Sequence, residues 1–342
     1  MCFRPLLLCL PLLLTACSKS ARPVQLDFVG IPTLTSGNKT VQPNDTLTTR
    51  AYAVGNDNKL KRLRITVTYD PGITPIIYPV PLSSYDPGKA PNKKEIVYLD
   101  SLIDPQQNNS NGHALSEILF VNQFSARATS GTELWQYTAT DVTGASASRA
   151  YRLTTRKADS AALFHSFTAV LRPVPRRAAL VAKGVRDRSR VFLNLRYGLL
   201  LPKYAVLNQE RTVETNQELV DLICVAGGTG TTVRLVAPAN TDTATCKLPD
   251  VWALATRRAT GLRLTGLTSD QFGKTVDADF ATSYTAGTAY APNAFATGTL
   301  SKGQVLAFKI TDGTTERYGL LLVSDLISGS APVLVCAVKV QK

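Results

Sequence analysis

Two histidines, His113 and His165, are the only side chains in this sequence that titrate near neutral pH without help from their surroundings. His113 follows an Asn-rich loop beside Gly112, and His165 sits in an apolar run with Phe164 and Phe167. Neither has a second His, a Cys or a carboxylate at ligand spacing, so both read as ordinary core or surface histidines, and no metal is expected. Asp277-Ala-Asp279 and the Gly55-Asn-Asp-Asn58 turn offer too few carboxylates for a calcium loop, and turn chemistry accounts for them. The run Ala226-Gly-Gly-Thr-Gly-Thr-Thr232 is followed by no Lys-Ser/Thr and no helical pattern, so it reads as a loop between strands rather than a phosphate cradle. No serine stands in a Gly-x-Ser-x-Gly elbow. Cys336 alternates with Leu334 and Val338 on a core face, and Cys224 lies in another apolar strand. No catalytic residue and no cofactor are assigned. Carboxylate pairs for glycoside hydrolysis can come from distant strands, so a hydrolase or glycan-uptake component with a site scattered over the second half stays as the alternative reading.

The remaining candidates bind rather than react. Arg172, Arg176, Arg177, Lys183, Arg186, Arg188, Arg190 and Arg196 crowd one short stretch, opposed only by Asp187. They read either as a contact for phosphate or carboxylate groups or, more plainly, as a solvated loop with the polar face of one strand. Tyr284, Tyr290 and Phe295 fall in a Gly/Ala/Thr/Pro-rich loop from 278 to 298. They could stack on sugar rings, and the plainer reading is that they anchor the loop to the core. The formal net charge of +13 favours anionic partners such as lipid headgroups or acidic polysaccharide, with no specific nucleic-acid recognition expected.

These residues must be positioned mainly by strands. Thr, Ala, Leu and Val dominate, and Glu, Met and Gln are scarce. From 61 to 69, Leu63, Ile65, Val67 and Tyr69 alternate with Arg62, Arg64, Thr66 and Thr68, the pattern of a half-buried antiparallel strand. Turn clusters at 36–38, 43–45 and 55–58 punctuate the first part. Residues 81 to 112 read as long loops with one strand at 94–99. In the second half, strands are expected at 163–171, 190–196, 218–225, 232–236, 262–264, 303–311, 317–323 and 333–340. One helical turn capped by Ser269 is expected at 269–272.

The chain opens with a nine-residue apolar run, Leu6 to Leu14, broken only by Pro11 and preceded by Arg4. A membrane-spanning helix needs about 20 apolar residues, so this run fits a secretory signal. The Leu14-Thr15-Ala16-Cys17 that closes it resembles the lipobox of bacterial lipoproteins, with Ser18-Lys19-Ser20 as a polar tether. The resemblance implies cleavage before Cys17, lipid on its thiol and a body held at a bilayer. Removing residues 1–16 leaves 342 − 16 = 326 residues and a charge of 13 − 1 = +12. Of the remaining cysteines, Cys224, Cys246 and Cys336 allow one bridge with three possible pairings.

Two further resemblances bear on the body. Asp45-Thr46-Leu47 through Tyr69 resembles the B and C strands of Ig-like modules in exported bacterial lipoproteins, and 134–153, turning at Thr140-Asp-Val-Thr-Gly144, resembles their closing hairpin. Tyr318 to Asp325 followed by 333–342 is similar to the closing hairpin of a module in uncharacterised lipoproteins of the Bacteroidota. Arg190 to Gly198 and Leu219 to Leu222 stand where that module has its first core strands, and Trp252 and Thr260 match its middle. That resemblance supplies no catalytic residue. Asp45-Thr-Leu, Asp100-Ser-Leu, Asp159-Ser-Ala and Asp242-Thr-Ala resemble O-glycosylation acceptors of the same phylum.

The expectation is therefore an all-β chain of two tandem β-sandwich domains, the first Ig-like, after a lipoprotein signal peptide. Its parts are the signal at 1–16, a lipidated tether at 17–23, the Ig-like sandwich at 24–157 and a second β-sandwich module at 161–342. The expected role is non-enzymatic binding or structural support at the bacterial cell envelope. The membrane is the partner through Cys17, and an anionic polysaccharide or an envelope protein is the second. The outer membrane is the expected site, with its face left open.

Overall fold

The computed structural model describes residues 22–70, 94–103, 116–129, 131–155, 163–173, 189–207, 214–241, 248, 252–291 and 294–342. The chain is all-β in character, with two sandwiches. The first pairs a three-stranded sheet, β1 (Val24–Phe28), β3 (Thr46–Gly55) and β6 (Glu117–Ser125), with a five-stranded one. The latter runs β2 (Lys39–Val41), β8 (Ser146–Thr155), β7 (Gly131–Asp141), β4 (Leu60–Asp70), β5 (Lys94–Leu102), and only the β2–β8 pair is parallel. The alternation expected along β4 is present: Leu63, Ile65, Val67 and Tyr69 are all buried. The first three meet Leu47, Ala51, Ala53 and Phe124 across the sandwich, where Phe124 and Trp135 lie with ring centroids 4.0 Å apart. Burying apolar faces of two sheets against each other is what stabilises such a layer pair.

The second sandwich sets a four-stranded sheet against a six-stranded one. The smaller has the order β11 (Leu199–Pro202), β10 (Arg190–Asn194), β12 (Leu222–Ala226), β13 (Val233–Val236). The larger has the order β15 (Thr288–Ala289), β14 (Gly261–Leu264), β16 (Val305–Asp312), β17 (Thr315–Ile327), β18 (Val333–Gln341), β9 (Phe164–Leu171). Between them lie Leu193, Leu222, Val233, Leu235, Phe308, Leu321 and Val338, with Cys224 and Cys336. Both cysteines are buried free thiols, and burial raises both pKa values. Cys246 lies outside the described residues, as do His113, Asp159 and Asp242.

The other face of the six-stranded sheet carries two helices, α3 (Ser269–Lys274) and α4 (Ala278–Ala286). The structure changes two expectations here. The cap of α3 is Thr268, whose hydroxyl accepts from Gln271 N while Gln271 Oε1 accepts from Thr268 N, a capping box one residue earlier than Ser269. The stretch from 278 is a helix rather than a loop, because Phe280 is fully buried and packs edge-on against Phe164. Lys339, only 8% exposed, donates from Nζ to the carbonyl oxygens of Phe272, Gly273 and Thr275, at 2.8, 3.0 and 2.8 Å. A cation thus closes the C-terminal end of α3, where unpaired carbonyl oxygens gather.

Two short helices, α1 (Lys203–Val206) and α2 (Glu214–Gln217), join the sandwiches from the side. The strand expected from 218 begins only at Leu222. The core of the first sandwich is continuous with Phe192, Leu201, Val206, Val220 and Trp252 from the second half of the chain. Polar contacts cross the same seam. Tyr204 donates to Asn122 Oδ1 at 2.6 Å, Asn216 Nδ2 to Val97 O, Thr129 Oγ1 to Tyr197 O at 2.7 Å and Ala128 N to Gly198 O at 3.1 Å. Gly198 has φ +60, and a Cβ there would press on Ala128 and Thr129 at 3.1 Å. Glycine is required there on both counts.

Candidate functional site

Cys17, Arg176, Arg177, Lys183, Arg186 and Arg188 lie outside the described residues. Arg172 is exposed, and its N–H donates to Arg190 O at 2.9 Å. Arg190 itself is turned inward. It is 7% exposed, and its Nη2 donates to Phe124 O at 3.3 Å and to Thr46 Oγ1 at 3.4 Å. Burial pushes its pKa down, with Arg172 adding to the effect. Its charge therefore serves the seam between the sandwiches.

The three aromatic candidates do not form one platform. Tyr284 stands on α4, on the helical side of the six-stranded sheet, with Arg263 stacked 4.8 Å from its ring and Tyr318 at 5.6 Å. Tyr290 packs against the opposite, inter-sheet core, and burial raises its hydroxyl to about 12. Phe295 is half-buried, and its carbonyl accepts from Ala237 N at 2.7 Å.

What the fold does bring together is a different set of arginines. Strand β10 ends in a turn whose geometry is fixed by Asn194, which accepts from Tyr197 N at 2.8 Å and donates to Leu219 O at 2.7 Å. Beneath that turn Asp221 is fully buried. Its Oδ2 accepts from Leu195 N at 2.7 Å, and its Oδ1 accepts from Arg258 Nη1 at 2.9 Å. Burial raises the carboxyl above its ordinary value of 3.8, and Arg258 pulls it back down. Arg258 is further held by Glu218 O. Its neighbour Arg257 donates twice to Trp252 O, from Nε at 3.0 Å and Nη2 at 2.8 Å. Trp252 is wholly buried against Phe192, so a core anchor holds the Arg257 guanidinium.

These arginines line an open cleft of about 360 Å³ with Thr256, Thr260 and the β16–β17 turn at Thr311 and Gly313, and with Glu218 at its exposed rim. The volume lies at the small end for ligand sites. Arg196 is close enough to Arg258 and Arg317 for both to depress its pKa, after burial, which is the larger cause. Crowded guanidinium groups with one buried carboxylate among them suit an anion. The Thr260 hydroxyl is buried and has no partner among the described residues.

No group of three or more His, Cys, Asp or Glu at metal-binding distance occurs among the described residues. Asp279 uses its carboxylate to accept from Val276 N at 2.9 Å, and the Gly227–Thr232 run closes a turn through Gly227 N to Thr232 O at 2.7 Å. The first is a contact at the first turn of α4, and the second closes the loop between β12 and β13. Among the described residues no helix is long and apolar enough to cross a membrane.

The cleft was missed in the sequence because its parts come from three separated segments. The only local signal was the Arg257-Arg258 pair shortly after Trp252.

No family model matches the sequence, and no curated protein matches it. Among solved structures the chain is similar to a DUF4466 family protein from Parabacteroides merdae, a member of the Bacteroidota. The two are 11% identical, the match covers 93% of this chain and 98% of the other, and the TM-score is 0.35.

Proposed function

We propose that the protein is a lipid-anchored protein of the bacterial cell envelope whose role is to bind, without turnover, an anionic partner, with acidic glycan as the class. The observation that supports this most directly is where the chain enters the first sandwich. Val24 pairs with Gly55 at one end of β3, and Thr46, at the other end, meets Arg190 of the second half. Ten residues of strand separate them, about 30 Å. Between Cys17 and Arg22 lie 22 − 17 = 5 residue steps, at most about 18 Å of extended chain. A lipid on Cys17 would hold the tether end of the first sandwich, read as an Ig-like module, close to the bilayer. The second sandwich, with its arginine cleft, would face away toward a partner.

Two measurements test this. Intact-mass analysis of the protein from its native host should show diacylglycerol on the chain beginning at Cys17, and Cys17→Ser should release it from membranes. A glycan array and a hydrolase panel on the full chain should give binding to anionic glycans without cleavage. Turnover of any polysaccharide would favour the hydrolase alternative and overturn the non-enzymatic role.

A further inference from the structure

The geometry of the second sandwich points to a specific contact, and we propose that the cleft between Arg257, Arg258, Thr256, Thr260 and the Thr311–Gly313 turn holds one carboxylate-bearing sugar of an acidic glycan. The proposal rests on the reading that the partner is anionic, and it deepens that reading by naming the site and the group recognised.

Three features carry it. First, the two guanidinium groups are fixed before any ligand arrives. Arg257 is held twice by Trp252 O, and Arg258 by Asp221 Oδ1 and Glu218 O. Preorganised donors lose little freedom on binding. Asp221 acts as a positioning residue: both of its oxygens are engaged in the fold, and it is fully buried, so it steers Arg258 without touching a ligand.

Second, the way Arg257 is held limits what it can grip. With Nε and one hydrogen of Nη2 committed to one carbonyl, both hydrogens of Nη1 and the second of Nη2 are left to meet a ligand. That leaves one guanidinium edge, which suits the two oxygens of a single carboxylate. Third, apart from Glu218 at the rim, the rest of the lining is uncharged and small. Thr256, Thr260 and Thr311 bring hydroxyls, and Ala255 and Ala259 bring methyl groups. Thr260 is 1% exposed, and its buried hydroxyl lacks a partner among the described residues. Buried polar atoms are almost always paired, so this one marks a place for a ligand or water oxygen. A uronic acid presents one carboxylate and several hydroxyls, which matches guanidinium donors beside several neutral hydroxyls.

Glu218 supplies the discriminating handle. It is exposed at the rim and lines the cleft, so it opposes an approaching carboxylate. The test is calorimetric titration of the full chain, purified in detergent, with trigalacturonic acid, maltotriose and inorganic phosphate in turn. Trigalacturonic acid should bind and maltotriose should not. Arg257→Gln should weaken binding about tenfold, the loss of one charged hydrogen bond. Glu218→Gln should strengthen it about two- to threefold, through relief of one exposed like charge. Lys302→Gln, at an exposed lysine paired with Asp325, should leave it unchanged.

Unchanged affinity in both Arg257→Gln and Glu218→Gln overturns the site, even while wild-type binding upholds the anionic partner. Equal effects from Lys302→Gln and Arg257→Gln reduce the binding to general surface charge and also overturn it. Phosphate binding more tightly than the uronide, or maltotriose binding equally well, overturns the carboxylate assignment. Should Arg257→Gln fail to fold, Glu218→Gln decides, because its predicted gain cannot arise from damage.

Discussion

Arg127 and Glu133 leave water together. Their side chains are 1% and 4% exposed, with Nη2 to Oε1 at 2.8 Å, and Arg127 lies 3.6 Å over the Tyr69 ring while Trp135 Nε1 donates to Glu133 Oε2 at 3.1 Å. Removing one partner strands a buried charge, so Glu133→Gln should cost about 3–5 kcal/mol, read from the urea midpoint. Replacing both by apolar residues of similar volume should cost much less. Asp221 differs, because burial raises its pKa above 3.8 while Arg258 opposes the shift. The folded chain therefore keeps that proton to higher pH than the unfolded chain. Stability contributed by this group is greatest below 3.8, falls as pH climbs through the raised value, and is level above it. Arg258→Met removes the opposing charge and should extend the decline to higher pH, measurable as unfolding free energy across a pH series.

At the scale of elements, the helical layer hangs on one side chain. Lys339→Met deletes the three bonds from Nζ that close the end of α3. Amide exchange should accelerate across 269–286 while β16 and β17 keep their protection, since α3 and α4 only cover that sheet. Equal acceleration in the strands would show that the layer is integral to the sheet. Much of the strand framework was readable in advance because burial on one face writes a period of two into the sequence, as in β4 and in β18 with Leu334, Cys336, Val338 and Val340 all buried. Helix α4 was not readable: Ala-Asp-Phe-Ala-Thr-Ser-Tyr-Thr-Ala has weak helix formers, and Phe280 is its one buried side chain. Its conformation is decided by packing on Phe164 and on the sheet. The cleft was illegible for a different reason, since Glu218, Arg258 and Gly313 are neighbours only through sheet packing.

For the molecule as a whole, the continuous core makes the two sandwiches interdependent. A fragment of residues 24–157 would expose the surface that Phe192, Leu201, Val206, Val220 and Trp252 cover, and would lose the bonds donated by Tyr204 and Asn216 and the one that Tyr197 O accepts. It should therefore unfold without a sharp transition, where the full chain melts cooperatively. A sharp calorimetric transition in the fragment would refute the dependence. Gly198→Ala probes the same seam within the intact protein. Strain at φ +60 and pressure on Ala128 and Thr129 should together cost about 1–3 kcal/mol, read as a lowered urea midpoint.

The direction in which β1 runs has a mechanical consequence. It enters at Val24, beside Gly55, and heads back into the sandwich, with all five of its residues in register with β3. Arg149 pins it from the other sheet through Leu26 O and Asp27. A pull on the chain ahead of Arg22, resisted at the second sandwich, acts along the length of that strand. Its ladder is then loaded in shear, every bond at once, instead of being unzipped from one end. Such a joint resists tension out of proportion to its five residues.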